Sequence, residues 1–457
     1  MNSLQQVINE FILQVLSINV LDKGLAESAE ELLKETKAFC LDYLRSEIET
    51  LDQTLVSNPN LRPEWVVHKK VGRIQETILG PLAYTRRYYK HKTKDENAYL
   101  IDALIDVEKY ERINQGLKAA LCNQAVNHSY QMSAELSCEN RVSKQSVMRI
   151  VQEANIPTLE FEASQEDVKV LHIQADEDHV AMQDGRRCKE VKLAVMHEMA
   201  YRVGKKGYLP NKIHQFSYRE HSEDFWLRVA ESIHQRYPND QAMRIYLHGD
   251  GALWIKTGLD WLPGAKFVLD KFHVFKVLKQ LAPVDSTEYL ELKDSLMDAD
   301  QAEFKRLVSV CTKLYARDEE QVKQIKRYIL NNWSGISIWS QDPLCGISCA
   351  EGLVSHCLSE RLSMRPMAWM DDGLEQMTKL REHHLNGGKI VWRDFKKSES
   401  ENQAVEKVKN SVKLESLYET YETIKAFDSL PVGQYHFPKR DARYRIFRAI
   451  SEGGKAI

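Results

Sequence analysis

The chain has 457 residues, 43% of them hydrophobic and 28% charged, and a formal net charge of −3. This length exceeds one ordinary domain and excludes a small stapled scaffold. No apolar run approaches the roughly 18 residues of a membrane helix; the start MNSLQQVINEFILQVL lacks the basic residues and cleavage site of a signal peptide, and the eight cysteines are scattered, so a reduced, cytoplasmic protein is expected.

Along residues 1 to 60, Ile12, Leu16, Leu21, Leu25, Leu32 and Leu33 recur among polar residues at helical spacing, giving an amphipathic helical start. VGRIQETILGPLAYTRRYY then reads as two β-rich runs around Gly80-Pro81, a hairpin. Its second run leads into YTRRYYKHKTK, where basic and aromatic residues interleave between Tyr84 and Lys94. Such a run either holds phosphates and bases or is a solvated strand face. Helices resume near residue 98. Over residues 131–153, a helix, a short polar break and a second helix capped by Ser143 outline a helix-turn-helix. Val147, Ile150 and Val151 would face inward, leaving Lys144, Gln145, Ser146 and Arg149 for phosphates and base edges; an ordinary helical hairpin has the same outline. NIPTLEFEASQED reads as a linker, which sets a boundary near residue 165 and a mainly helical N-terminal region over 1–165.

Beyond the linker the period changes to two. VKVLHIQAD, DHVAMQ, EVKLAVMHEMAYRV and KIHQFSY read as strands in series, followed by a helix, the strand MRIYLHGD, a helix through Trp254 and the strand AKFVLD. The segment 283–340 is helical and strongly charged, an insertion between a first core part over 166–282 and its completion over 341–390. The region 391–457 is polar and basic, with a second interleaved stretch, YHFPKRDARYRIFR, that would touch DNA. Cys345, Cys349 and Cys357 with His356 could ligate zinc, but they share one short segment without the paired spacing of zinc sites.

Three acids stand at the ends of differently built segments. Asp176 closes VKVLHIQAD, Asp250 closes MRIYLHGD, and Glu351 opens the helical CAEGLVSHCLSERL. A carboxylate so placed costs desolvation unless a cation or partner meets it, and two hard cations on three carboxylates suit phosphodiester chemistry. Asp178 lies on the same strand face as Asp176 and could replace it. Arg361 and Arg365, with Ser363, follow Glu351 and could clamp a phosphate or pair with Glu360 or Asp371 on the surface. Strands first in series and then alternating with helices, with acids on the first strand and on the strand after the first helix, match a ribonuclease H-like mixed-sheet core within a multidomain α/β chain.

LHIQADEDHVAMQ, IYLHGDGALWIKTG, VLDKFHVFK and EGLVSHCLSERLSMRPMAW, in this order, resemble the ISLre-type transposases of bacterial insertion sequences, distant relatives of the mutator-type elements. The resemblance covers essentially the whole chain. It implies a DDE transposase with a ribonuclease H-like core, in which Asp176, Asp250 and Glu351 take the catalytic, metal-holding positions and His273 takes that of a histidine near the DNA. It also implies two Mg²⁺ or Mn²⁺ ions per site, terminal repeats and target DNA as partners, association with the nucleoid when DNA-bound, and a homodimer or higher oligomer on paired ends. A structure-selective nuclease on the same fold, or a DNA-binding regulator derived from a transposase, would share most of these features.

Overall fold

The computed structural model describes residues 4–395, apart from 186–187 and 239–242. Most of the region 391–457, including YHFPKRDARYRIFR, therefore lies outside the described residues. The chain is a mixed α/β protein of two compact units: one takes the described residues of Met1–Ala120, Ala134–Val142 and Val391–Ile457, the other Leu121–Ser133 and Ser143–Ile390. Among the described residues no helix is long and apolar enough to cross a membrane.

In the first unit, α1 (Leu4–Ser17) and α2 (Val20–Ser57) pack along each other, with Phe11 stacked on Phe39 at 4.3 Å. The hairpin around Gly80-Pro81 is β1 (Trp65–Glu76) with β2 (Pro81–His91), joined by β3 (Asn97–Ala98), after which comes α3 (Leu100–Leu104). The arginines of YTRRYYKHKTK are consumed inside this unit. Asp102 in α3, buried, pairs with both Arg73 and Arg86, and Arg86 lies 3.6 Å over the Tyr99 ring. Arg87 pairs with the buried Asp52 of α2 at 2.7 Å. The interleaving thus builds a core rather than a phosphate surface, and Lys90, Lys92 and Lys94 are its exposed cations.

The helices α4 (Gln115–Ala125), α5 (Tyr130–Cys138) and α6 (Lys144–Glu153) follow, and the division between the units runs through them. Ser143 caps α6, its Oγ accepting from the Ser146 N–H at 3.2 Å. Val147, Ile150 and Val151 are buried while Lys144, Gln145 and Arg149 are exposed, the faces that the sequence pattern assigns.

The second unit is built on β4 (Val170–Val180), β5 (Lys189–Glu198), the ribbon β6 (Tyr201–Val203) with β7 (Lys206–Tyr208), β8 (Ile213–Ser217), α7 (Ser222–Arg236), β9 (Arg244–Gly249), α8 (Leu253–Lys256), α9 (Gly258–Trp261) and β10 (Lys266–Leu269). The main sheet has the order β10-β9-β4-β5-β8; β4, β9 and β10 pair parallel, whereas β5 pairs antiparallel with both β4 and β8. β4 takes VKVLHIQAD and DHVAMQ into one strand, so Asp176 does not close it. What ends at Gln174 is its pairing with β9, because that strand stops at Gly249. Alternation sorts β4 cleanly. Leu171, Ile173 and Ala175 join Phe225, Trp226 and Val229 of α7 in an apolar core, while His172, Gln174, Asp176 and Asp178 line the other face.

α10 (Lys271–Leu278) leads into α11 (Thr287–Met297), α12 (Gln301–Leu314), α13 (Glu319–Asn331) and α14 (Trp333–Gln341), whose apolar stripes share one core with Val268 and Leu269 of the sheet. The chain returns as α15 (Ala350–Val354), a π turn over Ser355–Ser359, α16 (Glu360–Leu362) and α17 (Asp371–Leu385). Here the expected boundary at 165 is corrected. Gln376 of α17 donates to the Ala154 carbonyl, and Arg381 donates to the Val126 carbonyl at 2.9 Å, so α6 and residues 121–133 fold with the core.

The outer edge of β8 is sealed by side chains. Asn386 accepts from the His214 N–H and donates to its carbonyl, both at 2.8 Å; Glu382 accepts from the Phe216 N–H at 2.5 Å, and Arg228 donates to its carbonyl at 2.7 Å. These groups stand in for a sixth strand and protect an edge that would otherwise pair with another chain. Asn386→Ala should lose about 1–3 kcal/mol of unfolding free energy, read by urea titration, because two buried backbone groups lose their partners. The same variant should self-associate with rising concentration in light scattering.

Buried histidines give the second unit a pH response. Burial pushes both His172 and His214 down to about 4. The unfolded chain, with histidines near 6.5, binds more protons than the folded one between these values. Stability should therefore be full above about pH 6.5 and fall progressively toward pH 4, which urea midpoints across that window would measure.

Candidate metal centre

The polar face of β4 holds the site. Asp176 is nine-tenths buried there, and burial pushes its carboxyl up to about 6 against the Glu177 N–H, which donates to Oδ1 at 2.9 Å, and the charge of His273. Asp178, two residues on, is already engaged: Ser363 Oγ donates to its two oxygens at 3.0 and 2.8 Å. Asp176 is thus the aspartate left open. Glu177 points to the opposite face, where Trp254 donates to it at 2.6 Å.

Extending the Gln174–His248 register sets Asp250 across from Asp176, just past the end of β9. Asp250 Oδ1 accepts from the Ala252 N–H at 2.8 Å, and its carbonyl accepts from Tyr328 Oη of α13 at 2.8 Å. Gly251 next to it has φ 93°, and a Cβ there would stand 2.8 Å from Asn332 Oδ1. Only glycine meets both demands without strain. The helical insertion therefore supports the Asp250 turn from below.

Asp270, at the end of β10, ties three elements together. Its N–H donates to the Gly249 carbonyl at 2.8 Å, its Oδ1 caps α10 through the Phe272 N–H at 3.1 Å, and its Oδ2 lies 2.8 Å from His273 Nδ1. Burial pushes the Asp270 carboxyl up, but the His273 hydrogen bond, the Phe272 N–H and the His273 charge outweigh it and hold it below the ordinary value. The same hydrogen bond to Asp270 raises His273, with the charges of Asp270, Asp176 and Asp250 adding to it against burial.

Glu351 is exposed on α15 and arrives here across the whole insertion. Its helix is anchored to the sheet by a buried chain of hydrogen bonds. The Cys349 N–H donates to Gln174 Oε1 at 3.1 Å, Gln174 Nε2 lies 3.1 Å from His197 Nε2, and His197 Nδ1 lies 2.7 Å from the Glu198 carbonyl. One ligand atom each from Asp176, His273 and Glu351 fall within 4.8 Å of one another, and among the described residues this is the only such group of three or more potential ligands. Asp250 stands beside the group without belonging to it. The Cys345, Cys349, Cys357 and His356 set forms no such group.

The remaining expected site residues divide. Arg365 is exposed. Arg361 is corrected: it is buried, donates to the Ala125 carbonyl at 2.8 Å and lies over the rings of Tyr130 and Trp369 at 5.6 and 5.0 Å, so it faces the interior rather than a phosphate. Ser146 is half-buried at the α6 cap. Sequence reasoning gave no site role to Gln174 or Asp270, and His273, expected near the DNA, stands among the acids. The Asp-x-x-His spacing across a strand-to-helix junction carried the signal for that pair, since an N-cap aspartate and the residue three on share one helix face.

The chain belongs to UPF0236. This uncharacterised protein family matches residues 17–401. The UPF0236 protein TTE2489 of Caldanaerobacter subterraneus subsp. tengcongensis is 32% identical over 467 residues, covering 98% of this chain and 98% of that protein. A second UPF0236 protein of the same organism, whose name joins eleven locus designations, is 32% identical over 443 residues, covering 93% of this chain and 92% of its own length. A more distant member, the UPF0236 protein in the vanSb 3′ region of Streptococcus gallolyticus, is 22% identical over 382 residues, covering 80% and 84%.

Within this UPF0236 protein, Gln174→Leu should unfold about 1–3 kcal/mol more easily in urea, since the Cys349 N–H and His197 Nε2 lose a buried partner. A change inside about 0.5 kcal/mol, the range of ordinary surface substitutions, would mean that the relay does not hold α15.

Proposed function

We propose that this protein is a DDE transposase, a metal-dependent polynucleotidyl transferase that cleaves at insertion-sequence ends and joins the freed strand to target DNA. The observation that carries the reading is the meeting of Asp176 and Glu351, 175 positions apart in sequence, on one polar face of a mixed sheet with Asp250 alongside. The order β10-β9-β4-β5-β8, an antiparallel meander followed by two parallel strands, is the order expected of a ribonuclease H-like core. The name of one relative supports it independently, since it joins eleven locus designations. One protein name spread over many loci of a single genome is the pattern a mobile element leaves.

The donor set fits a divalent cation. Asp176 is buried with a single backbone donor, two further ligand atoms stand within reach, and hard carboxylate oxygens suit Mg²⁺ or Mn²⁺. Asp176 and Glu351 would hold one ion, and Asp250 with Asp176 would serve a second. When bound, such ions polarise a scissile phosphate and acidify the attacking hydroxyl. The protein's own part is positioning. Tyr328 and Asn332 fix the Asp250 turn, the Gln174 relay fixes α15, and the exposed Lys144, Gln145, Arg149 and Arg365 offer contacts to the DNA backbone and bases. Acting on two element ends calls for two such sites, hence a dimer or higher oligomer on DNA.

The test is a labelled duplex carrying an element end, incubated with Mg²⁺ or Mn²⁺ and wild-type or Asp250→Ala protein, with binding checked for both. Cleavage and strand joining should occur with the wild type and fall at least about 100-fold in the variant, as loss of several kcal/mol of charge stabilisation requires. Cleavage without joining would replace the transposase by a structure-selective nuclease. Binding without cleavage in either metal would sink the catalytic reading in favour of a regulator.

A further inference from the structure

We infer that His273 is itself a metal ligand: its Nε2 completes a site with one oxygen each of Asp176 and Glu351, Asp270 aims the ring, and the nitrogen tilts the site toward Mn²⁺ over Mg²⁺. This rests on reading the polar face of β4 as a metal centre, and it does not depend on which DNA reaction follows.

The geometry carries the assignment. Two ligands on one cation at about 2.1–2.2 Å stand no more than about 4.4 Å apart. The ligand atoms of Asp176, His273 and Glu351 lie within 4.8 Å of one another, so shifts of tenths of an ångström would bring all three onto one ion. Asp270 occupies His273 Nδ1 at 2.8 Å, which leaves Nε2 as the nitrogen free to serve. Asp270 is also the only ion-pair partner of His273 among the described residues; Asp176 and Glu351 stand too far from the ring for an ion pair, yet close enough to share a cation with it.

The Asp270–His273 pair has the form of a carboxylate that orients a ligating imidazole. Such a partner fixes the tautomer and ring direction and raises the ligand's basicity. Asp270 is itself fixed by its backbone bond to Gly249 and by its cap on α10, so the ring is aimed from the scaffold. A site of two carboxylates and one imidazole is softer than one of oxygens alone. Mg²⁺ prefers oxygen and water, whereas Mn²⁺ accepts nitrogen more readily.

Mn²⁺ binding to the full-length protein without DNA tests the assignment, read by electron paramagnetic resonance with Mg²⁺ as competitor. Pulsed spectra of Mn²⁺ on the unaltered protein should contain coupling to a ¹⁴N nucleus. His273→Asp should lower the preference for Mn²⁺ over Mg²⁺ at least about tenfold, and Asp270→Asn should weaken Mn²⁺ binding about 10–100-fold. Stoichiometric Mn²⁺ binding that needs Asp176 yet carries no nitrogen coupling would overturn the His273 assignment and leave the metal centre standing. Absence of stoichiometric Mn²⁺ binding altogether would overturn both. Because the coupling is measured on the unaltered chain, poor folding of a variant does not decide the outcome.

Discussion

A carboxylate nine-tenths buried in the central strand of a sheet organises the second unit. Asp176 receives one backbone hydrogen bond, from Glu177, and no cation of the described chain pairs with it. Leaving a charge in that position costs several kcal/mol by desolvation. The neighbours on the same face each have a side-chain hydrogen bond: His172 with His248, Gln174 with His197 as well as with the Cys349 N–H, and Asp178 with Ser363. Asp176 is thus the one acidic side chain of that row without a side-chain partner. A fold that gives each neighbour a side-chain partner and withholds one from this carboxylate keeps that carboxylate ready for something from outside.

The segments that converge on it arrive by different routes, and each is held by a contact from another element. Tyr328 and Asn332 of the helical insertion set the Asp250 turn, so the insertion is structural support for the site as well as a spacer. Asp270 links β10, Gly249 and α10 before it touches His273. The π turn that follows α15 frees the carbonyls of His356 and Cys357, and both are taken by Arg381. A wide turn of this kind is rare. Here a guanidinium donates to two of its carbonyls, which gives the buried Arg381 partners for its charge.

Much of this was legible in the sequence, for reasons of period and end-point. Alternation in VKVLHIQAD and MRIYLHGD identified strands carrying acids, Gly80-Pro81 marked a hairpin, and the spacing of Val147, Ile150 and Val151 gave the buried face of α6. What sequence could not show were pairings between distant residues. Arg361 and Arg365 are alike in sequence, yet one stacks between Tyr130 and Trp369 and the other is exposed. Arg86 and Arg87 lie in a run that reads either as a phosphate surface or as a solvated strand face, and neither reading shows that Asp102 and Asp52, residues of other elements, neutralise them. The unit boundary was missed for the same reason. Helix α6 resembles the N-terminal helices in composition, and only its contact with α17 assigns it to the core.

The two units solve the problem of an open sheet edge in the same way. In the first, Glu49 and Asp52 of α2 accept the N–H groups of Thr85 and Arg87; in the second, Asn386, Glu382 and Arg228 take both the donors and the acceptors of β8. Carboxylates and amides can complete a strand's hydrogen bonds without offering a backbone of their own, so the sheet stops growing there. The device has a consequence for the site. Because α17 seals β8 through Glu382 and Asn386 and also supplies Arg381 to the π turn, one helix ties the far edge of the sheet to the segment that carries Glu351. The geometry at Asp176 therefore depends on the integrity of an edge three strands away from β9.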